Sequence, residues 1–274
     1  MPRALEPCER GVLRTPDEDR FQLHRWEPSE PLRPYVAWLW AVAWSLPERE
    51  EHQQAVLPHP SAHLVVEDGA ATLHGPPRRR FDRVLRGTGR VVGARFRPGG
   101  VRPLLAGPVA ELTDRTRPAA VLPGLDDAAL VDGVQGAREL ARAATVLDTA
   151  LRPLLPARPD PSVALADRAV TMMADDRGLT RVPDLALRLH VSTRSLQRLF
   201  HDYVGLPVGW VLRRYRLHDL AEHALSGRPV DWGELADRLG YADQAHLIRD
   251  FTGAVGTSPA RYAAESAGRS HSSR

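Results

Sequence analysis

Short stretches in which every second residue is apolar dominate the first hundred residues of the chain. In one of them Val92, Ala94 and Phe96 occupy alternate positions, which is the period of a half-buried strand. Strands are predicted at residues 21–26, 36–44, 62–66, 71–74 and 91–96. Glycine and proline fill the gaps between them, as turns require. The pattern predicts a small antiparallel barrel or sandwich.

Helical periodicity begins after these strands, and helices are predicted at residues 101–112, 126–131 and 137–151. The apolar residues of the last helix are spaced by four, three and four positions, which makes a single stripe. They are Leu140, Ala144, Leu147 and Leu151. Two interpretations of the stripe stay open: packing onto the β-rich region of the same chain, or a helix–helix contact in a dimer.

A proline-rich stretch at residues 153–161 divides the chain, because closely spaced prolines cannot continue a helix. Almost everything after it has helical period, so the predicted fold class is α+β, a β-rich domain with helices followed by an all-α domain. The predicted boundaries are a mobile N-terminus at 1–20, the β-rich domain at 21–155, a linker at 156–161, the helical domain at 162–266 and a disordered tail at 267–274.

Two short helices with almost nothing between them are predicted at residues 183–189 and 193–201, which we call the first helix-turn-helix unit. Ser192 suits the N-cap of the second helix, whose apolar residues point one way. Its outward positions are Thr193, Arg194, Gln197, Arg198 and His201. Arginine and glutamine form bidentate contacts with guanine and adenine, so this face is typical of a helix that reads the major groove. A solvated helix face is the alternative interpretation.

The arrangement recurs from residue 232 onward as a second helix-turn-helix unit. A helix at 232–239 ends at Gly240, which suits a left-handed turn, and Asp243 suits the N-cap of the next helix. The outward positions of that helix are Gln244, His246, Arg249 and Asp250. A helix of twenty residues at 206–225 separates the units and spans about 30 Å, close to the ~34 Å between successive major grooves on one face of DNA. The spacing predicts tandem groove binding by one chain.

Composition excludes several classes of protein. Of the 274 residues, 43% are hydrophobic and 26% are charged, which excludes a largely disordered chain. No apolar run approaches ~18 residues and the first twenty residues have no apolar core, so neither a transmembrane helix nor a secretory signal is predicted, and the expected location is cytoplasmic. Cys8 is the only cysteine, which excludes an internal disulfide framework and a multi-cysteine zinc site.

The charges are distributed unevenly between the two units. All 37 basic residues are arginine, and the formal net charge of +3 is too small by itself to indicate a nucleic-acid partner. Residues 181–216 hold seven arginines against two acidic residues, whereas residues 217–265 hold four arginines against eight. Attraction to phosphate is therefore expected to concentrate on the first unit.

Residues 182–262 carry a series of motifs in a fixed order. They are Leu185-Ala186, Ser192, Leu196-Gln197-Arg198-Leu199-Phe200, Gly205, Arg216-Leu217, Leu235-Ala236, Gly240-Tyr241, Leu247, Arg249, Phe251 and Gly256-Thr257-Ser258-Pro259 before Arg261-Tyr262. With these motifs the stretch resembles the DNA-binding domain of the arabinose-operon regulator (AraC) family of transcription factors. The resemblance implies seven helices with two helix-turn-helix motifs, and double-stranded DNA as the partner.

The resemblance also implies which residues contact bases. The family's base-contacting positions correspond to Arg194, Gln197 and Arg198 in the first unit, and Thr193 completes the predicted set there. In the second unit they correspond to Gln244, Ala245, His246 and Arg249. The chain departs from the family pattern at Trp232, where a branched aliphatic residue is usual, and in the loop at 226–231. These departures affect the second unit.

Residues 21–124 look like a degenerate cupin-like domain that some members of this family carry at the N-terminus. The stretches that carry this likeness are 57–60, 63–67, 93–100 and 108–114. The likeness implies a role in sensing a small-molecule effector or in forming a homodimer. RNA polymerase is a further partner expected of such a regulator.

The candidate ligand-binding residues of this domain are Trp38, Trp40, His59 and His63. Aromatic residues cluster between positions 21 and 44, which suits a ligand pocket as well as a core. No H-x-H pair occurs, and we predict neither a metal site nor a cofactor. No G-x-S-x-G occurs and the glycines at 87–93 miss the dinucleotide fingerprint, so no catalytic residue is predicted. The alternative function is a cupin-like metal enzyme that carries a DNA-binding tail.

A run of three arginines, Arg78, Arg79 and Arg80, interrupts the β-rich domain between two predicted strands. Such a run is usually a solvated loop, and that is the interpretation we favour. The alternative is a role in binding an anionic ligand or DNA.

Overall fold

The computed structural model of the chain describes residues 4–5, 21–225 and 231–270. In these ranges an antiparallel β-domain precedes a helical domain, which confirms the predicted α+β class. The strands are β1 (Ala4–Leu5), β2 (Phe21–Trp26), β3 (Val36–Ser45), β4 (Glu51–Val56), β5 (His63–Glu67), β6 (Ala70–His74), β7 (Phe81–Arg86), β8 (Thr88–Phe96) and β9 (Thr116–Pro118). The α-helices are α1 (Asp127–Gly136), α2 (Leu140–Leu151), α3 (Pro161–Asp175), α4 (Val182–Arg188), α5 (Thr193–Leu199), α6 (Val208–Leu225), α7 (Trp232–Arg238), α8 (Gln244–Val255) and α9 (Pro259–Ser270).

Seven strands form one sheet in the order β1-β2-β3-β8-β5-β6-β9, and β4 pairs with β7 in a separate two-stranded sheet. All five predicted strands are confirmed. The sequence pattern misses β1, β4, β7 and β9. In β7 only Leu85 is buried, while Phe81 and Val84 are exposed, so the alternation that identifies a half-buried strand is absent there.

The two faces of the main sheet pack on different partners. One face, which includes Leu39 and Leu64, forms the main core together with α1 and α2. On the other face Trp44 and Val91 pack against Leu85 of the two-stranded sheet. Large indoles lie across glycines on this second face: a Cβ at position 93 would lie 2.5 Å from the ring of Trp40. The β-domain is therefore a sandwich with helices on its outer side.

The apolar stripe on α2 belongs to the core of the same chain. Ala144, Leu147 and Leu151 are fully buried against the main sheet, and the partly buried Leu140 packs against the same cluster. The interpretation of this stripe as a dimer contact is therefore wrong, because these side chains are already covered within one chain.

The predicted helix at residues 101–112 is also wrong. Two short 3-10 turns, Arg102–Leu104 and Val109–Leu112, occupy this stretch. Pro103 lies in the first turn and Pro108 precedes the second. A proline removes the backbone donor that a continuous helix needs and restricts the residue before it. The turns still bury Leu104, Val109 and Leu112 in the main core, which is why the stretch has helix-like apolar spacing.

Helices α3 to α9 make the seven helices that the family resemblance implies. One apolar cluster joins α3, α4 and α5 to the first half of α6. A second cluster joins the other half of α6 to α7, α8 and α9, and it also contains Ala55 and Leu57 from the β-domain. The helical domain is therefore packed directly against the β-domain through its second cluster.

Short parts of the two chain ends form secondary structure in the described residues. β1 pairs with β2, with Ala4 opposite Trp26, although residues 1–20 are predicted to be mobile. Helix α9 continues to Ser270, four residues into the predicted disordered tail. The rest of these two segments, residues 1–3, 6–20 and 271–274, lies outside the described residues, as does the loop at 226–230.

Candidate nucleic-acid interface

The first helix-turn-helix unit consists of α4 and α5. Leu185 on α4 and Leu196 on α5 are fully buried in the same apolar cluster, which fixes the angle between the helices. His190 in the turn has a φ of 56°. The Ser192 side chain accepts a hydrogen bond of 3.0 Å from the backbone N of Ser195, so the predicted N-cap is confirmed.

The second unit consists of α7 and α8 and is built in the same way. Leu235 and Leu247 are buried between the helices. The backbone of Gly240 is left-handed, with a φ of 68°. The Asp243 carboxylate accepts a hydrogen bond of 2.6 Å from the backbone N of His246, which confirms the second predicted cap. Helices α5 and α8 thus each start at a side chain that the sequence identifies.

The predicted base-contacting residues face solvent in both units. On α5 the exposed residues are Arg194, Gln197 and Arg198, with Thr193 partly exposed. On α8 they are Gln244, Ala245, His246 and Arg249. The His246 ring lies edge-on to Tyr241, 5.3 Å between ring centroids, which limits how this imidazole can turn. The structure therefore places each set together on one open helix face.

Asp250 does not belong to that open face, contrary to the sequence-based expectation. Its carboxylate accepts a 2.9 Å hydrogen bond from the hydroxyl of Tyr241 and lies 3.8 Å from the guanidinium of Arg213. Burial and the Asp250 charge raise the pKa of the Tyr241 hydroxyl, so it remains a proton donor. Arg216 stacks on the Tyr241 ring at 5.8 Å and donates to the carbonyl of Thr180. This network ties α8 to α6.

Most acidic residues between positions 217 and 265 have structural partners. Asp231 accepts hydrogen bonds from the backbone N atoms of Gly233 and Glu234 as the N-cap of α7. The buried Asp219 lies 3.5 Å from Arg177, and Glu222 lies 3.2 Å from the same guanidinium. Five of the eight acidic residues in this range therefore act as caps or as partners that hold the helices.

The four candidate ligand residues of the β-domain do not all lie together. Trp40 and His63 meet edge to face, with ring centroids 6.0 Å apart. Trp38 lies under the guanidinium of Arg95, 4.2 Å from the ring centroid. The ring of His59 instead contacts His218 of α6 at 4.7 Å, so this residue lies at the contact between the domains.

The described residues contain no group of three or more His, Cys, Asp or Glu side chains that could hold a metal ion. The imidazole of His74, which pairs with His63 across β5 and β6, is hydrogen-bonded to the hydroxyls of Thr72 and Thr116 at 3.0 and 3.1 Å. Burial, reinforced by the positive charge of Arg95, lowers the pKa of His63 to about 3. His63 is therefore a neutral ring between a tryptophan and an arginine.

Replacing His63 with glutamine is expected to flatten the pH dependence of stability between about pH 6.5 and pH 3. The unfolded chain has a histidine pKa of about 6.5, so it binds more protons than the folded chain in this window. The wild type therefore loses stability as the pH falls, and the variant should lose less. Thermal melts of both proteins across this window, with the exposed His246→Gln as the control, measure the difference. Parallel slopes for wild type and His63→Gln would contradict the expectation.

One feature is absent from the sequence-based set, and a second has partners that the sequence does not identify. A groove of about 810 Å³ lies where the start of β3 meets α3, and its lining includes Tyr35, Arg97, Asp160 and Asp167. The arginine run at 78–80 is the other feature: Arg80 donates to the carbonyl of Val255 on α8, and the carbonyl of Arg78 accepts from Arg214 on α6. The solvated-loop interpretation therefore holds for the exposed side chains of Arg78 and Arg79, whereas the partly buried Arg80 contacts the helical domain. No local pattern indicates the groove or the partners of the arginine run, because both depend on the helical domain.

Comparisons with protein families find two matches. A family described as "Helix-turn-helix domain" matches residues 185–265, from α4 into α9. A family described as "Domain of unknown function (DUF6597)" matches residues 24–118 of the β-domain. The search of curated proteins found no match. None of the helices in the described residues is long and apolar enough to cross a membrane.

Several solved structures are similar to the chain. The C-terminal domain of AraT, a response regulator from Geobacillus stearothermophilus, is 27% identical, and the match covers 40% of this chain and 88% of that one with a TM-score of 0.34. ToxT from Vibrio cholerae is 11% identical over 89% of this chain and 98% of its own, with a TM-score of 0.40. ToxT with a bound unsaturated fatty acid is 10% identical over 91% and 97%, with a TM-score of 0.38. The match over residues 185–265 is the one that bears on function.

Proposed function

Because residues 185–265 form a helix-turn-helix domain of the AraC type, we propose that this protein regulates transcription by reading specific DNA with both α5 and α8. One observation carries the proposal: two capped helices present open polar faces at the two ends of α6. The 18 residues of α6 span about 27 Å, which suits two recognition helices that enter successive major grooves.

In this proposal the exposed side chains of the recognition helices contact base edges. Arg194, Gln197 and Arg198 offer the bidentate donors and acceptors that distinguish guanine and adenine. On α8, Gln244, His246 and Arg249 can form hydrogen bonds with bases, whereas Ala245 is limited to the methyl group of thymine. Thr193 at the start of α5 is placed to bond a phosphate or a base.

The N-terminal domain is proposed to sense a small molecule or to pair two copies of the chain. The edge-to-face pair of Trp40 and His63, next to Trp38, supports an aromatic surface that binds a ligand. In this proposal His59, whose ring contacts His218 of α6, links the β-domain to the helical domain. A homodimer and a contact with RNA polymerase stay predictions, as does a cytoplasmic location. No observation on the described residues favours the alternative of a cupin-like metal enzyme.

Full-length protein is expected to enrich specific duplexes from a randomised double-stranded DNA library. Binding of the enriched duplex should weaken steeply with salt, since each neutralised phosphate adds about 0.9 to the slope of log affinity against log salt. The double substitution Arg194→Ala and Arg198→Ala should abolish enrichment, and Arg142→Ala, an exposed arginine on α2, should not. Failure to enrich any duplex above a neutral control protein would overturn the proposal.

A further inference from the structure

The connection between β6 and β7 extends from the β-domain to the end of the second recognition helix. The guanidinium of Arg80 donates one hydrogen bond to the carbonyl of Val255, the last residue of α8. The Nε of Arg80 donates a second bond, of 2.8 Å, to the carboxylate of Asp82 on β7. Arg80 is thus oriented by its own domain and contacts the other.

The chemistry of this contact suits a helix end. The last carbonyls of a helix lack partners within the helix and carry partial negative charge, which a guanidinium satisfies. Gly256 follows with a φ of 88°, and a Cβ at this position would lie 2.7 Å from Nη1 of Arg80. The close approach of Arg80 therefore depends on glycine at the C-terminal end of α8.

The same segment holds the helix that joins the two units. Arg214 of α6 is 4% exposed, donates to the carbonyl of Arg78 and stacks on Trp210, with its guanidinium carbon 4.5 Å from the ring centroid. Leu57 of the β-domain is fully buried in the cluster that α6 shares with α8. The β-domain therefore contacts both α6, on which the second unit packs, and the end of α8.

The β-domain also contacts the first unit. The hydroxyl of Thr113 donates a 2.6 Å hydrogen bond to the carbonyl of Gly205, which ends the helical segment that continues from α5. Thr113 and Gly205 are both buried, so water does not compete for this bond. The β-domain thus contacts the end of the segment that continues from α5 and the end of α8.

From these contacts we propose that the β-domain sets the spacing of the two recognition helices and that Arg80 is the positioning residue for α8. The inference rests on the proposed function, since it concerns the DNA site that both helices read. A fixed spacing raises affinity for one separation of half-sites, because the second helix binds without a further loss of freedom. The same fixed spacing lowers the affinity for every other separation of the half-sites. Without Arg80 the second unit should tolerate altered separations.

The test uses full-length protein and the duplex that it enriches from a randomised library. A second duplex carries one extra base pair between the two half-sites, which moves one groove by about 3.4 Å and rotates it by about a tenth of a turn. Wild type should bind the altered duplex on the order of tenfold more weakly. We call this loss of affinity the spacing penalty. Arg80→Ala should reduce the spacing penalty to about twofold or threefold, and it should also bind the original duplex more weakly than wild type does. Arg80→Lys, which keeps a cation near the helix end, should fall between the two.

Arg79→Ala is the matched control, because Arg79 is an exposed neighbour in the same run. It should leave the spacing penalty at the wild-type value. Hydrogen exchange without DNA provides a second measurement: α8 should exchange faster in Arg80→Ala, while α5 should be unchanged. Equal spacing penalties for wild type and Arg80→Ala, or unchanged exchange in α8, would overturn the inference and leave the proposed function standing. No enriched duplex for wild type would overturn the proposed function and this inference with it.

Discussion

Replacing Leu147 with glutamate is expected to unfold the β-domain. Leu147 is fully buried on α2, between α1 and the main sheet. The substitution removes a large apolar side chain and introduces a carboxylate that has no water around it. Losing the leucine side chain costs about 2–5 kcal/mol and the buried charge adds to that, so the free energy of unfolding should fall by at least about 4 kcal/mol.

Urea denaturation followed by circular dichroism measures this loss, and size-exclusion chromatography shows the state of the chain. Thr149→Glu is the matched control, since Thr149 lies two residues further along α2 and is exposed. It should unfold at nearly the wild-type urea concentration. A Leu147→Glu protein that stays fully folded while a wild-type dimer becomes a monomer would contradict the burial of this residue inside one chain.

Arg198→Ala is expected to weaken binding of a specific duplex by roughly tenfold or more, and Arg249→Ala by less. A lost bidentate base contact costs ~1–3 kcal/mol. Arg198 lies on a helix capped by the neutral Ser192, and Gln197 and Arg194 share its open face. Arg249 lies on a helix capped by Asp243, whose carboxylate stands at the end of α8 that would approach DNA. That negative charge opposes phosphate contacts in the second unit.

Both substitutions are to be measured on one enriched duplex at one salt concentration. A third variant, Asp243→Asn, tests the role of the cap charge, because asparagine also caps helices well and removes only the charge. Asp243→Asn should strengthen binding of the duplex. In this background, the difference between the affinity losses caused by Arg198→Ala and Arg249→Ala should depend less on salt. Equal losses for Arg198→Ala and Arg249→Ala, or a larger loss for Arg249→Ala, would contradict the unequal contribution of the units.

The sequence by itself determined the features that depend on residues close together in the chain. The alternation in 91–96 identified β8, because the side-chain period of a half-buried strand is set by its own backbone. Ser192, Gly240 and Asp243 identified the ends of the helices in both units, because a cap acts on backbone groups two or three residues away. The open faces of α5 and α8 follow from the same helical period.

Only the tertiary structure decided which partner each surface meets. The period of α2 predicted an apolar stripe, but whether Leu147 faces its own sheet or a second chain depends on packing between distant segments. The arginine run likewise has no local pattern that points to α6 and α8, since Arg80 and Val255 are 175 residues apart in the chain. Asp250 has the spacing of an outward residue, and it is turned inward by Tyr241 in the turn before α8 and by Arg213 on α6. Local periodicity identifies a face of a helix or strand, whereas contacts between distant elements determine what covers that face.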